Sequence, residues 1–121
     1  MKIKGFELAI SEEKLDEIIT RKTRQIKLID KDFAGYKELT EGNKKALQHL
    51  VNAARLFNHI AQEQDHVLNN TLQKGLEEAA PASSYAAKAL RLFNMFRGVE
   101  GHNGVDTAPI ELFKGVHGAV G

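Results

Sequence analysis

Cysteine is absent from the 121 residues. That excludes a disulfide framework, a thiolate zinc site, iron–sulfur ligation and a cysteine nucleophile, and it suits a reducing compartment. An excess of one charge is lacking too. Lys plus Arg number 17 against 16 Asp plus Glu, a formal +1, so no overall field points to nucleic acid or an anionic membrane. No uncharged run approaches the ~20 apolar residues of a membrane span. Met1-Lys2-Ile3-Lys4 leads into no hydrophobic signal core with a small-residue cleavage site. Several catalytic signatures are also missing: no Gly-Lys dipeptide for a P-loop, no Gly-x-Ser-x-Gly elbow, and no His-Glu dipeptide to open a zincin helix. These absences predict a single cytoplasmic domain with no catalytic set of its own and no cofactor required by its sequence. Neither nucleic acid nor a membrane is expected among its partners.

What is present reads mainly as α-helix. Phe6, Leu8 and Ile10 alternate at the spacing of a half-buried strand. No convincing partner strand follows, so residues 1–10 are expected as an extended segment. Ser11 before Glu12 and Glu13 is a good helix start, because the hydroxyl accepts from free backbone N–H groups and the acids suit the positive dipole end. The helix is predicted to run to about Lys31, with a seam of Leu15, Ile19, Ile26, Ile29 and Phe33 interrupted by Lys22. Gly35 is the expected stop. A second, longer helix is predicted from Thr40 to about Lys74 before Gly75, with Leu47, Leu50, Val51, Ala54, Phe57, Ala61, Leu68 and Leu72 on one broad face. Pro81 precedes a third, capped by Ser83 or Ser84, running from Tyr85 to about Arg97 and ended by Gly98. That helix is apolar nearly all round, which predicts a central position.

From Gly98 the character changes, since six of the ten glycines fall in the last 24 residues. A short helix is predicted there, capped by Asp106 or Thr107, with Pro109 in its first turn and Ile110, Leu112 and Phe113 to bury. The fold expected is therefore a helical bundle of three principal helices plus a short C-terminal one. Its parts are an extended segment over 1–10, a helical domain over 11–97, and a glycine-rich connector over 98–121 that continues into further chain. The tetrapeptide Arg55-Leu56-Phe57-Asn58 returns as Arg91-Leu92-Phe93-Asn94, 36 positions later, a period that a helical-hairpin repeat would have.

Three constellations have chemical potential. His59, Glu63 and His66 lie at i, i+4 and i+7, a stripe that can hold a metal, and Glu63-x-x-His66 has the spacing of di-iron bundles. The two imidazoles fall about 20° apart on the helix and nearly opposite the apolar face, so they are expected to point to solvent or to a partner. The second Glu-x-x-His of a di-iron bundle is absent. In the tail, His102, Asp106, Glu111 and His117 form a candidate acid–base or metal loop, against the plainer reading of a connector. Arg21, Lys22, Arg24 and Lys27 make a local basic cluster, diluted by neighbouring acids and without aromatics for base stacking.

The stretch from Leu39-Thr40-Glu41-Gly42 through Leu47-Gln48-His49-Leu50 to Phe57-Asn58-His59-Ile60-Ala61-Gln62-Glu63 resembles a segment near the start of bacterial dipeptidyl-peptidase III-type zinc metallopeptidases. Leu90-Arg91-Leu92-Phe93-Asn94-Met95-Phe96-Arg97-Gly98 and the connector after it stand in a compatible order. The resemblance covers about half of the chain and includes no catalytic motif. It implies a mostly helical, non-catalytic N-terminal part that helps wall a substrate cleft, with zinc bound only by a region of the parent protein outside this sequence. The function expected is thus a structural or interaction domain of a larger enzyme, partnered by a missing C-terminal domain or by a second copy of itself. The alternatives are a stand-alone metal- or ligand-binding protein using His59, Glu63 and His66, and a helical oligomerisation module.

Overall fold

Of the alternating residues Phe6, Leu8 and Ile10, Phe6 finds its strand partner in Ile3 and Leu8 bridges to Phe113. Lys4 and Gly5 both take positive φ, 53° and 87°, the backbone of a tight two-residue hairpin turn. Strand β1 (Lys2–Ile3) therefore pairs antiparallel with β2 (Phe6–Glu7), Ile3 opposite Phe6. The segment is a hairpin rather than unpaired extended chain. The computed structural model describes residues 1–24, 32–102 and 109–117, and the protein is mainly helical across them. No helix among the described residues is long and apolar enough to cross a membrane.

Helix α1 (Glu12–Thr23) starts where the sequence placed it, with Ser11 Oγ accepting from the Lys14 N–H at 3.2 Å. Leu15, Ile18 and Ile19 are its buried face. Residues 25–31 of the predicted helix lie outside the described residues. Gly35 is no terminator: it sits inside a one-turn helix, α2 (Ala34–Lys37), preceded by an exposed Phe33.

The long helix expected over residues 40–74 is two helices. Thr40 caps α3 (Glu41–Asp65) by accepting from the Asn43 N–H at 3.1 Å. His66 then turns extended, and α4 (Asn69–Ala79) begins in a new direction. The cause is local competition for backbone groups. His66 Nδ1 accepts the Leu68 N–H at 3.0 Å and the His66 carbonyl accepts the Asn69 N–H at 3.1 Å, which closes a turn where the helix would have continued. Gly75, the expected stop, lies buried within α4. A Cβ there would stand 2.5 Å from Ile3 Cγ2 and 2.8 Å from Lys4 Cγ, so glycine is what lets the hairpin lie against α4.

After a 3-10 turn at Ala80–Ala82 holding Pro81, Ser83 caps α5 (Ser84–Phe96) through the Ala86 N–H at 3.1 Å. α5 is central as its composition predicted, packing on α1, α4 and the segment Glu100–His102. Tyr85 ties it to the N-terminal segment by donating to the Ile10 carbonyl. Lys88 reaches α1, with Nζ 2.7 Å from Glu12 Oε2 and 3.0 Å from Asp16 Oδ2.

The predicted C-terminal helix is a strand. β3 (Glu100–His102) pairs antiparallel with β4 (Pro109–Glu111), Gly101 opposite Ile110. The proposed caps Asp106 and Thr107 lie outside the described residues. Backbone partners decide the matter: Leu112 N–H donates to Val99 O at 2.9 Å, Ala9 N–H to Leu112 O at 2.9 Å, and Lys114 N–H to Glu7 O at 2.8 Å. A helix would leave those groups of the N-terminal segment and the β3 turn unpaired. Among the described residues of the tail, Val99, Leu112, Phe113 and Val116 are buried in the same core as Ile3, Leu15, Leu72 and Phe93.

Two stability outcomes are expected. Alanine is about 1 kcal/mol better than glycine inside a helix, yet Gly75→Ala should lower the unfolding free energy by about 1 kcal/mol in urea titration, because the clash with Ile3 belongs to an overpacking class costing about 1–3 kcal/mol. Glu12 is held below the usual carboxylate range, first by the hydrogen bond from Lys88 and then by that from Ser84. A lowered folded pKa contributes stability that is full above the ordinary glutamate value of about 4.3 and is lost as pH falls through the folded value. Lys88→Met should therefore flatten the acid limb of stability against pH, followed by circular dichroism.

Candidate functional site

A helix as long as α3 ordinarily lays its apolar face on the rest of the domain. This one does so only at its C-terminal end, where Gln62 is its single buried side chain. Gln62 Nε2 there donates to Asn70 Oδ1 at 3.0 Å and to Gln73 Oε1 at 2.7 Å. The rest of α3 stands away from the core. Leu47, Leu50, Val51, Phe57 and Ile60 are all exposed, Leu50 by 67% and Phe57 by 71%. At ~100° per residue, Leu47, Leu50, Val51, Ala54, Phe57 and Ala61 fall within an arc of about 120°. They form a continuous apolar stripe about 21 Å long from Leu47 to Ala61. Isolated exposed apolar residues are ordinary, but a contiguous patch marks an interaction surface.

At the root of α3 the turn into α4 is fixed by Asn69, only 1% exposed. Its Nδ2 donates to the Gln62 carbonyl at 2.8 Å and its Oδ1 accepts the Val99 N–H at 3.0 Å. One amide thus joins the end of α3, the start of α4 and the turn after α5. Asn69 also explains that turn's backbone. A Cβ on Gly98 would lie 3.1 Å from Asn69 Nδ2, so glycine is used there for close approach. The left-handed residue that ends α5, with φ 61°, is consequently Arg97. Gly98 N–H closes the cap on Phe93 O at 3.2 Å.

Beside this junction is a cavity of about 160 Å³ lined by Asp65, His66, Asn69, Phe96, Arg97 and Glu100 among others. It has room for a few waters or a small ion and is below the roughly 300 Å³ of ordinary small-molecule sites. His66 is 6% exposed, and because Nδ1 accepts a backbone N–H, its neutral ring has the proton on Nε2. The carboxylates and the guanidinium together give this pocket mixed charge.

The sequence-derived candidates are only partly brought together. His59 Nε2 and Glu63 Oε1 meet at 3.6 Å on the exposed side of α3. His66, beyond the helix end, is turned into the junction instead of completing their stripe. In the tail, His117 Nδ1 lies 2.7 Å from Glu111 Oε1. His102 sits in β3 opposite Pro109, its carbonyl accepting from Lys22 Nζ at 2.8 Å. Asp106 lies outside the described residues. Among the described residues, no three His, Cys, Asp or Glu side chains are gathered so as to hold a metal ion. Of the basic cluster, Lys22 also lies over the Phe96 ring, 5.0 Å from its centroid. Asn69 and Arg97 were missed by sequence reasoning, because a single Asn within a helical pattern gives no sign that it will be buried.

Comparison with family models, with curated proteins and with solved structures finds no match to the chain.

Removal of the Asn69 side chain strands a buried carbonyl and a buried N–H. Asn69→Ala is expected to cost about 2–4 kcal/mol in denaturant unfolding. Arg97→Gly, which relieves a left-handed non-glycine residue, should gain about 0.5–1 kcal/mol in the same assay.

Proposed function

We propose that the chain is a non-catalytic helical interaction domain in which the compact body anchors α3 and α3 docks against a protein surface of matching apolar character. The observation that supports this is the solvent-exposed stripe from Leu47 to Ala61 on a helix whose own domain covers only its last turns. A helix kept for internal packing would bury those residues. The junction chemistry supports the same reading, since Asn69 and Gln62 spend buried hydrogen bonds on fixing the angle at which α3 leaves the body. The resemblance to dipeptidyl-peptidase III-type enzymes offers one setting for such a domain, as a helical part of a larger peptidase. The Glu111–His117 and His59–Glu63 contacts lie on the exposed surface, and Glu63 Oε1 also accepts from Asn70 Nδ2 at 3.3 Å.

Photo-crosslinking tests the reading. A benzophenone side chain at Leu50 or Phe57 should give one discrete intermolecular adduct, whereas the same group at Asn52 or His59, on the far side of the helix, should give none. Equal labelling from both sides, or no adduct from either, would overturn the proposal.

A further inference from the structure

The stripe on α3 has coiled-coil spacing. Leu47, Ala54 and Ala61 are seven residues apart, and Leu50 and Phe57 fall between them at the alternate positions of a heptad seam. The small side chains of Ala54 and Ala61 let a second helix approach closely. Beyond Glu41 in its first turn, the charges near the ends of α3 run against its dipole: Lys44 and Lys45 stand near its N-terminus, while Glu63 and Asp65 occupy its last turn, which holds no basic residue. Cations near the positive end and anions near the negative end are each unfavourable by some tenths of a kcal/mol. An antiparallel helix of the same sequence reverses this, because each end then lies beside the opposite end of its neighbour.

We propose that α3 pairs antiparallel with α3 of a second copy of this chain, forming a two-fold dimer through the stripe from Leu47 to Ala61. The inference rests on the interaction-domain reading and names its partner. With Ala54 near the two-fold axis, Leu47 lies beside Ala61 of the second copy and Leu50 beside Phe57. Lys44, flanking the stripe, comes beside Asp65. A parallel pair would instead set Lys44 against Lys44 and Asp65 against Asp65. The one contact lines one patch against itself, as a two-fold interface requires. Lys44 Nζ lies 3.5 Å from Glu41 Oε1 and 5.3 Å from the centroid of the Tyr36 ring, local contacts that pairing with Asp65 would replace.

Sedimentation equilibrium of the purified chain should give twice 13.4 kDa. The double substitution Leu50→Asn/Phe57→Asn appears twice per dimer, and it should raise the dissociation constant at least ~100-fold while leaving the far-ultraviolet circular dichroism of the body unchanged. Orientation is read by disulfides, which the absence of native cysteine makes unambiguous. Ala54→Cys should link to itself on oxidation. Leu47→Cys should not, because the two copies of residue 47 lie about 20 Å apart along the antiparallel pair, but it should link to Ala61→Cys in a mixture. Lys44→Glu should weaken the dimer several-fold, and Lys44→Glu/Asp65→Lys should restore it. Self-linkage of Leu47→Cys would overturn the antiparallel arrangement. A monomer at every concentration would overturn self-pairing altogether. If that monomer still gives a discrete stripe-specific photo-adduct with another protein, the interaction-domain reading stands without the dimer; if it gives none, both fail.

Discussion

The side-chain amide of Asn69 is the constraint on which the arrangement of this protein depends. It is almost wholly buried and satisfies two main-chain groups from segments about 37 residues apart, the Gln62 carbonyl and the Val99 N–H. A buried amide with both ends paired has one geometry, whereas an apolar side chain in the same place would tolerate several. The end of α3, the start of α4 and the turn out of α5 therefore stand in one relation. Gly98 follows from it, since that turn must come within van der Waals reach of the amide. So does the left-handed Arg97, which takes the backbone conformation that glycine would otherwise supply.

Around this junction the protein divides into a body that buries its apolar residues and a helix that does not. α3 holds its conformation without much tertiary help because it has 25 residues, beyond the ~12–15 at which isolated helices become more than marginal. Thr40 caps its start. Gln48 donates to Asn52 across one turn at 3.1 Å, an i,i+4 contact of the kind that adds a few tenths of a kcal/mol. An exposed helix stable on these terms can present a preformed surface, and preformed surfaces lose less entropy on binding than segments that must fold.

Much of the body was legible in the sequence. Helix starts at Ser11, Thr40 and Ser83 were found from their hydroxyls, and each caps as expected because the interaction spans three residues and needs nothing from elsewhere. The central position of α5 followed from its lack of a polar face. Glycines were less informative. Gly35 and Gly75 read as stops and are helical, Gly75 because a hairpin over seventy residues away presses against it. The C-terminal strand was read as a helix, since the alternation of Ile110 and Leu112 is too short to signal a strand and the backbone partners of Leu112 and Lys114, namely Val99, Ala9 and Glu7, come from distant segments. His66 was placed on a helical stripe from spacing alone, and its own ring then ended that helix.

The repeated tetrapeptide marks the boundary between the two kinds of information. Arg55-Leu56-Phe57-Asn58 and Arg91-Leu92-Phe93-Asn94 are the same four residues, and in both places the sequence by itself determined a helix, because propensity and periodicity act within a few turns. Burial was decided elsewhere. Leu92 and Phe93 are fully enclosed, while Leu56 and Phe57 are 67% and 71% exposed. α5 lies between α1 and α4, and α3 is led away from them by the turn at His66 and the amide of Asn69. Which apolar face meets the core depends on the direction in which each helix leaves its neighbours, and that direction is set by contacts between segments far apart in the chain.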